Sequence, residues 1–209
     1  MKLLKLIIGI TLGVGLTLNS AANTADTANI KQRVKIKPFH SINIATVGRV
    51  TIKQGPQCTM KISGSKRLMN LTKFIVEDGE LSVYFTEGIK NINTRNEQIK
   101  IIITTPKLNR IDFSGVGQLT CDSTIRLDND IYIHSEGVGN IYVDDLHCQS
   151  LHIKLEGVGK ANINVHCKQN LDAEVNGVGS ITLSGYTPSL HTEQNGVGRI
   201  KKSRLRVGN

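Results

Sequence analysis

Gly115-Val116-Gly117, Gly137-Val138-Gly139, Gly157-Val158-Gly159, Gly177-Val178-Gly179 and Gly196-Val197-Gly198 punctuate the second half of this chain, with steps of 22, 20, 20 and 19 residues between their first glycines. A near-constant step of this size is the signature of a solenoid, whose repeats bury their apolar faces against one another. The residues leading into the turns alternate: Ile131, Ile133 and Ser135; Leu151, Ile153 and Leu155; Leu171, Ala173 and Val175. A period of two describes a strand with one buried face. The intervening Tyr132 and His134, His152 and Lys154, Asp172 and Glu174, and His191 and Glu193 then face outward. Beyond the turns the alternation resumes in Ile141 and Val143, Ala161 and Ile163, and Ile181 and Leu183.

Each repeat therefore reads as strand, Gly-Val-Gly corner, strand and polar loop. About 20 residues are too few for two strands and a crossover helix, but enough for one coil of a β-helix with coils about 4.8 Å apart. Glycine suits the corner because it accepts positive φ and lets backbones approach closely. The valine is expected to be an inward plug that stacks coil on coil. A phosphate cradle is the other use for such glycines, but neither a P-loop lysine pattern nor a following helix accompanies them. The expected fold is all-β: a single-stranded parallel β-helix, or solenoid, with residues 109–209 as its regular Gly-Val-Gly coils.

Residues 34–108 are also β in pattern, but irregular. Ile42, Ile44, Val47, Val50 and Ile52 alternate through a degenerate corner, Thr46-Val47-Gly48, which lacks the first glycine. Phe74-Ile75-Val76 and Leu81-Ser82-Val83-Tyr84-Phe85 flank Glu77-Asp78-Gly79-Glu80, an Asp-Gly hairpin signal. The polar run over residues 87–97 reads as a surface loop. No segment beyond the N-terminus has a helical period.

Residues 1–22 have the form of a secretory signal peptide: Lys2 and Lys5, an apolar run from Leu6 to Leu18, and the small residues Ser20-Ala21-Ala22. That run is too short to span a membrane, and no transmembrane segment is expected after cleavage. Residues 23–33 read as a polar tether, leaving one solenoid domain over residues 34–209. Export to the periplasm or the cell surface follows. The formal charge of +9 becomes about +7 without Lys2 and Lys5 (9 − 2).

Phe39-His40-Ser41-Ile42, Val50 to Gly55, Asp78 to Val83 and Ile101 to Leu108 occur in an order that resembles the bacterial family described as "putative auto-transporter adhesin, head GIN domain". The tandem turns resemble it too, although Gly-Ser-Gly is commoner there than Gly-Val-Gly. The resemblance runs from about Val34 to Arg199 and implies an exported, β-helical domain. It implies little about activity. The 209 residues leave no room for a translocator barrel, so a self-contained autotransporter is not expected.

Four cysteines in an exported chain permit disulfides. Cys148 and Cys167 stand one coil apart, each after a histidine (His147, His166), and form a candidate disulfide or a stacked pair of buried thiols. A joint His/Cys metal site is disfavoured, because neighbouring strand residues point to opposite faces. Glu136 and Glu156 precede successive corners, with Asn176 and Asn195 following in the same column. Such a pair can serve glycoside hydrolysis or hold calcium, and Asp144 and Asp145 lie nearby. The Gly-Gly-x-Gly-x-Asp unit of calcium-binding repeats is missing, as is a Gly-x-Ser-x-Gly elbow. No cofactor, metal or catalytic residue is expected.

Arg199, Lys201, Lys202, Arg204 and Arg206 make a basic C-terminus, read first as a guard on the last coil's edge and second as an attachment to an anionic surface. Nucleic-acid binding is not expected without interleaved aromatics or a reader fold. The sequence thus supports a non-catalytic, adhesin-like module that meets a glycan or cell-envelope partner. Its candidate binding face is Tyr132, His134, His152, Lys154, Asp172, Glu174, His191 and Glu193. A structural envelope protein with a basic foot is the alternative, and a polysaccharide-acting enzyme on a β-helix comes third. Side-by-side or end-to-end self-association stays open.

Overall fold

The computed structural model describes residues 29–86 and 98–208. The expected signal peptide and the loop over residues 87–97 lie outside the described residues. Two strands form each regular coil, one in each of two facing sheets. Chain order begins with β1 (Asn29–Lys35), β2 (Ser41–Ala45), β3 (Val47–Gln54) and β4 (Thr59–Ser65). The short helix α1 (Lys66–Leu71) leads to β5 (Thr72–Glu77), β6 (Glu80–Phe85) and β7 (Ile99–Thr105). The regular coils follow as β8 (Arg110–Phe113), β9 (Val116–Cys121) with the short β10 (Ile125–Arg126), β11 (Ile131–Ser135) with β12 (Val138–Cys148), β13 (Leu151–Leu155) with β14 (Val158–Cys167), β15 (Asn170–Val175) with β16 (Val178–Thr187), and β17 (Ser189–Gln194) with β18 (Val197–Val207).

One sheet runs β1-β4-β7-β3-β9-β12-β14-β16-β18, with β10 beside β12; the other runs β17-β15-β13-β11-β8-β2-β6-β5. All neighbours from β6 and β7 onward along the solenoid are parallel, and in register coil upon coil apart from bulges in β12 and β18. Inward side chains stack in columns, such as Ile42, Ile111, Ile133, Ile153 and Ala173 from one sheet. Val50, Leu119, Ile141, Ala161 and Ile181 face them from the other. These residues are nearly inaccessible to solvent and form one continuous hydrophobic core. Burying such columns is the main favourable contribution to the fold, at about 25 cal/mol per Å² of apolar surface.

The irregular N-terminal part closes one end. The β6–β7 coil stacks outside β2–β3, although it comes later in the chain. Beyond it, β4 pairs antiparallel with β7, β1 with β4, and β5 with β6. The expected tether over residues 29–33 is therefore the start of a strand: its alternation is polar because β1 is an exposed edge. Residues Asp78 and Gly79, at φ 49° and 77°, make the tight hairpin turn that the Asp-Gly pair signalled. The absence of helix is also corrected, since α1 crosses between the sheets with Leu68 fully buried. Ser65 caps it by accepting from the Leu68 N–H at 3.3 Å, and six residues are too few to display a helical period.

The valine plug is overturned. Val116, Val138, Val158, Val178 and Val197 are 42, 51, 49, 52 and 76% exposed and line up along the outside of the corner. The parity that sends Ile131, Ile133 and Ser135 inward sends Gly137 inward and Val138 outward. Corners stack through backbone instead: Val138 N–H donates to the Gly115 carbonyl, Val158 to Gly137 and Val178 to Gly157, each at 3.0 Å. A Cβ added at Gly157 would lie 2.7 Å from the Glu136 carbonyl carbon and closer still to the Gly137 oxygen. Positive φ belongs to the second glycine, as at Gly117 (140°), and not to Gly157 or Gly177. The same relation holds at the degenerate corner, where Val47 and Gly48 pair with Val116 and Gly117.

At the other end β17 and β18 are edge strands among the described residues. The basic C-terminal residues are part of β18 itself, and a bulge opposite Ser184 puts Arg204 at φ 63°. Charge and a bulge both discourage strand addition at an open edge.

Candidate functional site

The outward positions of β11, β13, β15 and β17 form two columns. Arg110, Tyr132, His152, Asp172 and His191 stack in one, and Asp112, His134, Lys154, Glu174 and Glu193 in the other. A shallow cavity of about 360 Å³ lies over them. All eight residues of the candidate face line it, joined by Arg110 and Glu156. Glu156 was weighed in the sequence only as a partner of Glu136, and Arg110 was missed, although it precedes Tyr132 by the same 22 residues that separate Gly115 from Gly137.

Its walls are held by paired charges. The Tyr132 and His152 rings stack with centroids 4.6 Å apart and planes 9° from parallel, so each covers one face of the other, and Tyr132 stays 44% exposed to solvent. His152 Nδ1 meets Asp172 Oδ2 at 2.8 Å, which fixes the ring. The Arg110 guanidinium donates twice to Asp112, at 2.7 and 2.9 Å, an arrangement that raises the Arg110 pKa. His134 Nε2 donates to Glu156 Oε2 at 2.6 Å, and Lys154 Nζ meets Glu156 Oε1 at 2.8 Å and Glu174 at 3.5 Å. The Lys154 ammonium, then the His134 ring, hold the Glu156 carboxyl down to about 2. Asn195 donates to Glu193 at 2.7 Å, and Asn176 donates to Glu174.

This geometry bears on the chemistry weighed for Glu136 and Glu156. Both carboxylates lean on His134, with Glu136 Oε1 at 3.6 Å, but the Lys154 ammonium takes the place where a cation would bridge Glu156. A carboxyl held near 2 is a poor general acid at neutral pH. The groove offers a partly exposed tyrosine ring, fixed acceptors and fixed donors: a recognition chemistry. The candidate disulfide partners face the core, where the Cys148 and Cys167 Sγ atoms stand 3.9 Å apart as thiols. Their hydrogen bond and their burial push the Cys148 thiol up.

The site is thus a polar groove along one sheet of a parallel β-solenoid. The chain is a member of the "putative auto-transporter adhesin, head GIN domain" family, whose model matches residues 38–209. A solved "putative adhesin" from Bacteroides fragilis is 26% identical with a TM-score of 0.67, covering 85% of this chain and 98% of its own. Another from Parabacteroides distasonis, at 16% identity and a TM-score of 0.78, covers 88% of this chain and 76% of its own. A third, from Parabacteroides merdae, has 13% identity, a TM-score of 0.52, and coverage of 83% and 96%. The latter two share the fold alone. These relatives are named as adhesins and not as enzymes. Comparison with curated proteins gave no match. Among the described residues no helix is long and apolar enough to cross a membrane.

Proposed function

We propose that this protein is an exported, non-catalytic binding module that holds a glycan of the cell envelope or of a neighbouring surface in the groove of the β11-β13-β15-β17 sheet. One observation carries the reading: the partly exposed Tyr132–His152 stack lies between the fixed carboxylates of Asp172 and Glu174 and the cations of Arg110 and Lys154. A sugar packs its apolar C–H groups against the exposed part of the Tyr132 ring while its hydroxyls meet the charged side chains around it. In-register coils set successive outward side chains at the strand spacing of about 4.8 Å, which suits an extended polymer lying along the solenoid.

A glycan array with the purified protein tests this, at two salt concentrations and with the Tyr132→Ala variant beside the parent. Saturable binding to defined sugars that survives moderate salt and is lost in Tyr132→Ala is the expected result. Binding that Tyr132→Ala leaves intact would move the site elsewhere. Binding that disappears with salt would favour the alternative, contact of the basic β18 edge with anionic surfaces.

A further inference from the structure

The sheet opposite the groove carries a second cluster of side chains, built by an irregularity in β12. Val143 pairs with Ile163 and Leu146 with Val165, so Asp144 and Asp145 together oppose Asn164 alone. Such a bulge re-aims a side chain that strict alternation would place elsewhere. The Asn164 side-chain amide donates to the Asp144 carbonyl at 2.9 Å, satisfying the backbone at the bulge. Asp145 is thereby brought onto the outer face two residues before His147, and His166 stands opposite His147 on β14. We propose that Asp145, His147 and His166 form a binding site for a divalent transition metal of the zinc class.

Three observations converge on it. His147 Nε2 and His166 Nδ1 lie 3.1 and 3.6 Å from the same oxygen, Asp145 Oδ1. Metal–ligand bonds of about 2.0–2.2 Å in a tetrahedral site put neighbouring ligand atoms about 3.3 Å apart, between those two distances. The His166 Nδ1 atom is sealed from solvent and has no hydrogen-bond partner. An orphaned ring nitrogen aimed at a carboxylate is the expected appearance of a ligand awaiting its ion. Thr124 Oγ1 donates to Asp145 Oδ2 at 2.8 Å, orienting the carboxylate with Oδ1 turned to the imidazoles, as outer partners of metal ligands do. The two imidazoles stack 12° from parallel, and both are partly exposed, so one ring turns about its Cβ–Cγ bond to share an ion. Two imidazoles and one carboxylate suit zinc, copper or nickel better than calcium, and three protein ligands leave a position for water or an incoming group. Arg126, paired with His147 across β10 and β12, puts a positive charge beside the site that opposes any cation, so binding depends on the directed nitrogen ligands and not on net charge.

Calorimetric titration of the EDTA-treated protein with zinc at neutral pH, and with cobalt followed by visible absorption, provides the test. One ion per chain is expected. His147→Ala and His166→Ala should each abolish saturable binding, while His40→Ala, on β2's approach and outside both the groove and this cluster, leaves it unchanged. Thr124→Val keeps every ligand and should weaken binding by about tenfold or more. The half-exposed histidines tolerate alanine, so far-UV circular dichroism of the metal-free variants should match the parent; if either fails to fold, Thr124→Val and His40→Ala decide. No saturable uptake by the parent, or uptake that His166→Ala or Thr124→Val leaves unchanged, overturns the proposal.

Discussion

Replacing Gly157 with alanine isolates the physical reason for the corner. The residue has no positive φ, so the substitution brings no backbone strain of that kind. Its new methyl group would instead sit 2.7 Å from the Glu136 carbonyl carbon and closer to the Gly137 oxygen, both main-chain atoms that cannot rotate away. Relief requires the corner to lift off the coil beneath. That motion loosens the bonds from Glu156 N–H and Gly157 N–H to the Ser135 carbonyl, at 2.8 and 3.0 Å, and from Val158 N–H to Gly137 at 3.0 Å. Two or three hydrogen bonds at about 1 kcal/mol each, with overpacking of about 1–3 kcal/mol, give a loss of roughly 3–6 kcal/mol. The adjacent Val158→Ala makes the comparison decisive. At 49% exposure it should change stability by no more than about 0.5 kcal/mol, whereas an inward plug would cost about 2 kcal/mol or more. Urea denaturation followed by circular dichroism, with slopes compared between variants, reads both. A near-neutral Gly157→Ala would refute the close-approach account, and a costly Val158→Ala would restore the plug.

Acid should weaken the groove through Glu156. Its folded-state carboxyl is held down to about 2 against an ordinary 4.5, so its stabilisation is complete above about pH 5 and is lost as pH falls towards 2. Glu156→Gln should flatten that acid limb while costing less than about 1 kcal/mol at neutral pH, since solvent screens a carboxylate that is one-third exposed; an unchanged limb in a pH series of melting curves would assign the acid sensitivity elsewhere. Thiol titration with Ellman's reagent should find no reactive cysteine in the native protein and four after unfolding without reductant, because all four are buried thiols and burial pushes Cys121 up to about 12. Two thiols after unfolding would mean that Cys148 and Cys167 had joined.

The regular coils were legible because their signals are periodic and local. Five Gly-Val-Gly turns set the coil, and alternation set the inside and outside of Tyr132, His152 and Asp172, whose side-by-side stacking the structure bears out. The valines were misread against that same alternation: an apolar residue was assumed to be buried, although parity placed it outside. Spatial order at the N-terminal end was not legible. That β6 and β7 stack outside β2 and β3 depends on long-range pairing with no local signature. Asp145 escaped for another reason. A bulge shifts parity by one residue, and nothing in the sequence around Asp144 marks it apart from an unusually long strand.

The inversion of chain order near β2 and β3 has a consequence for how the protein acquires its shape. These strands come early in the sequence, yet both of their lateral partners, β6 with β7 and β8 with β9, are made later. A chain that emerges from its N-terminus therefore holds two apolar strands without these neighbours until β6 and β7 are available, and with one flank open until β9. Later coils face no such delay, since each docks on one already in place, and pairing over short separations is fast. The waiting interval leaves Ile42, Ile44, Val50 and Ile52 exposed, and this is the stretch where an escorting chaperone would have most to protect.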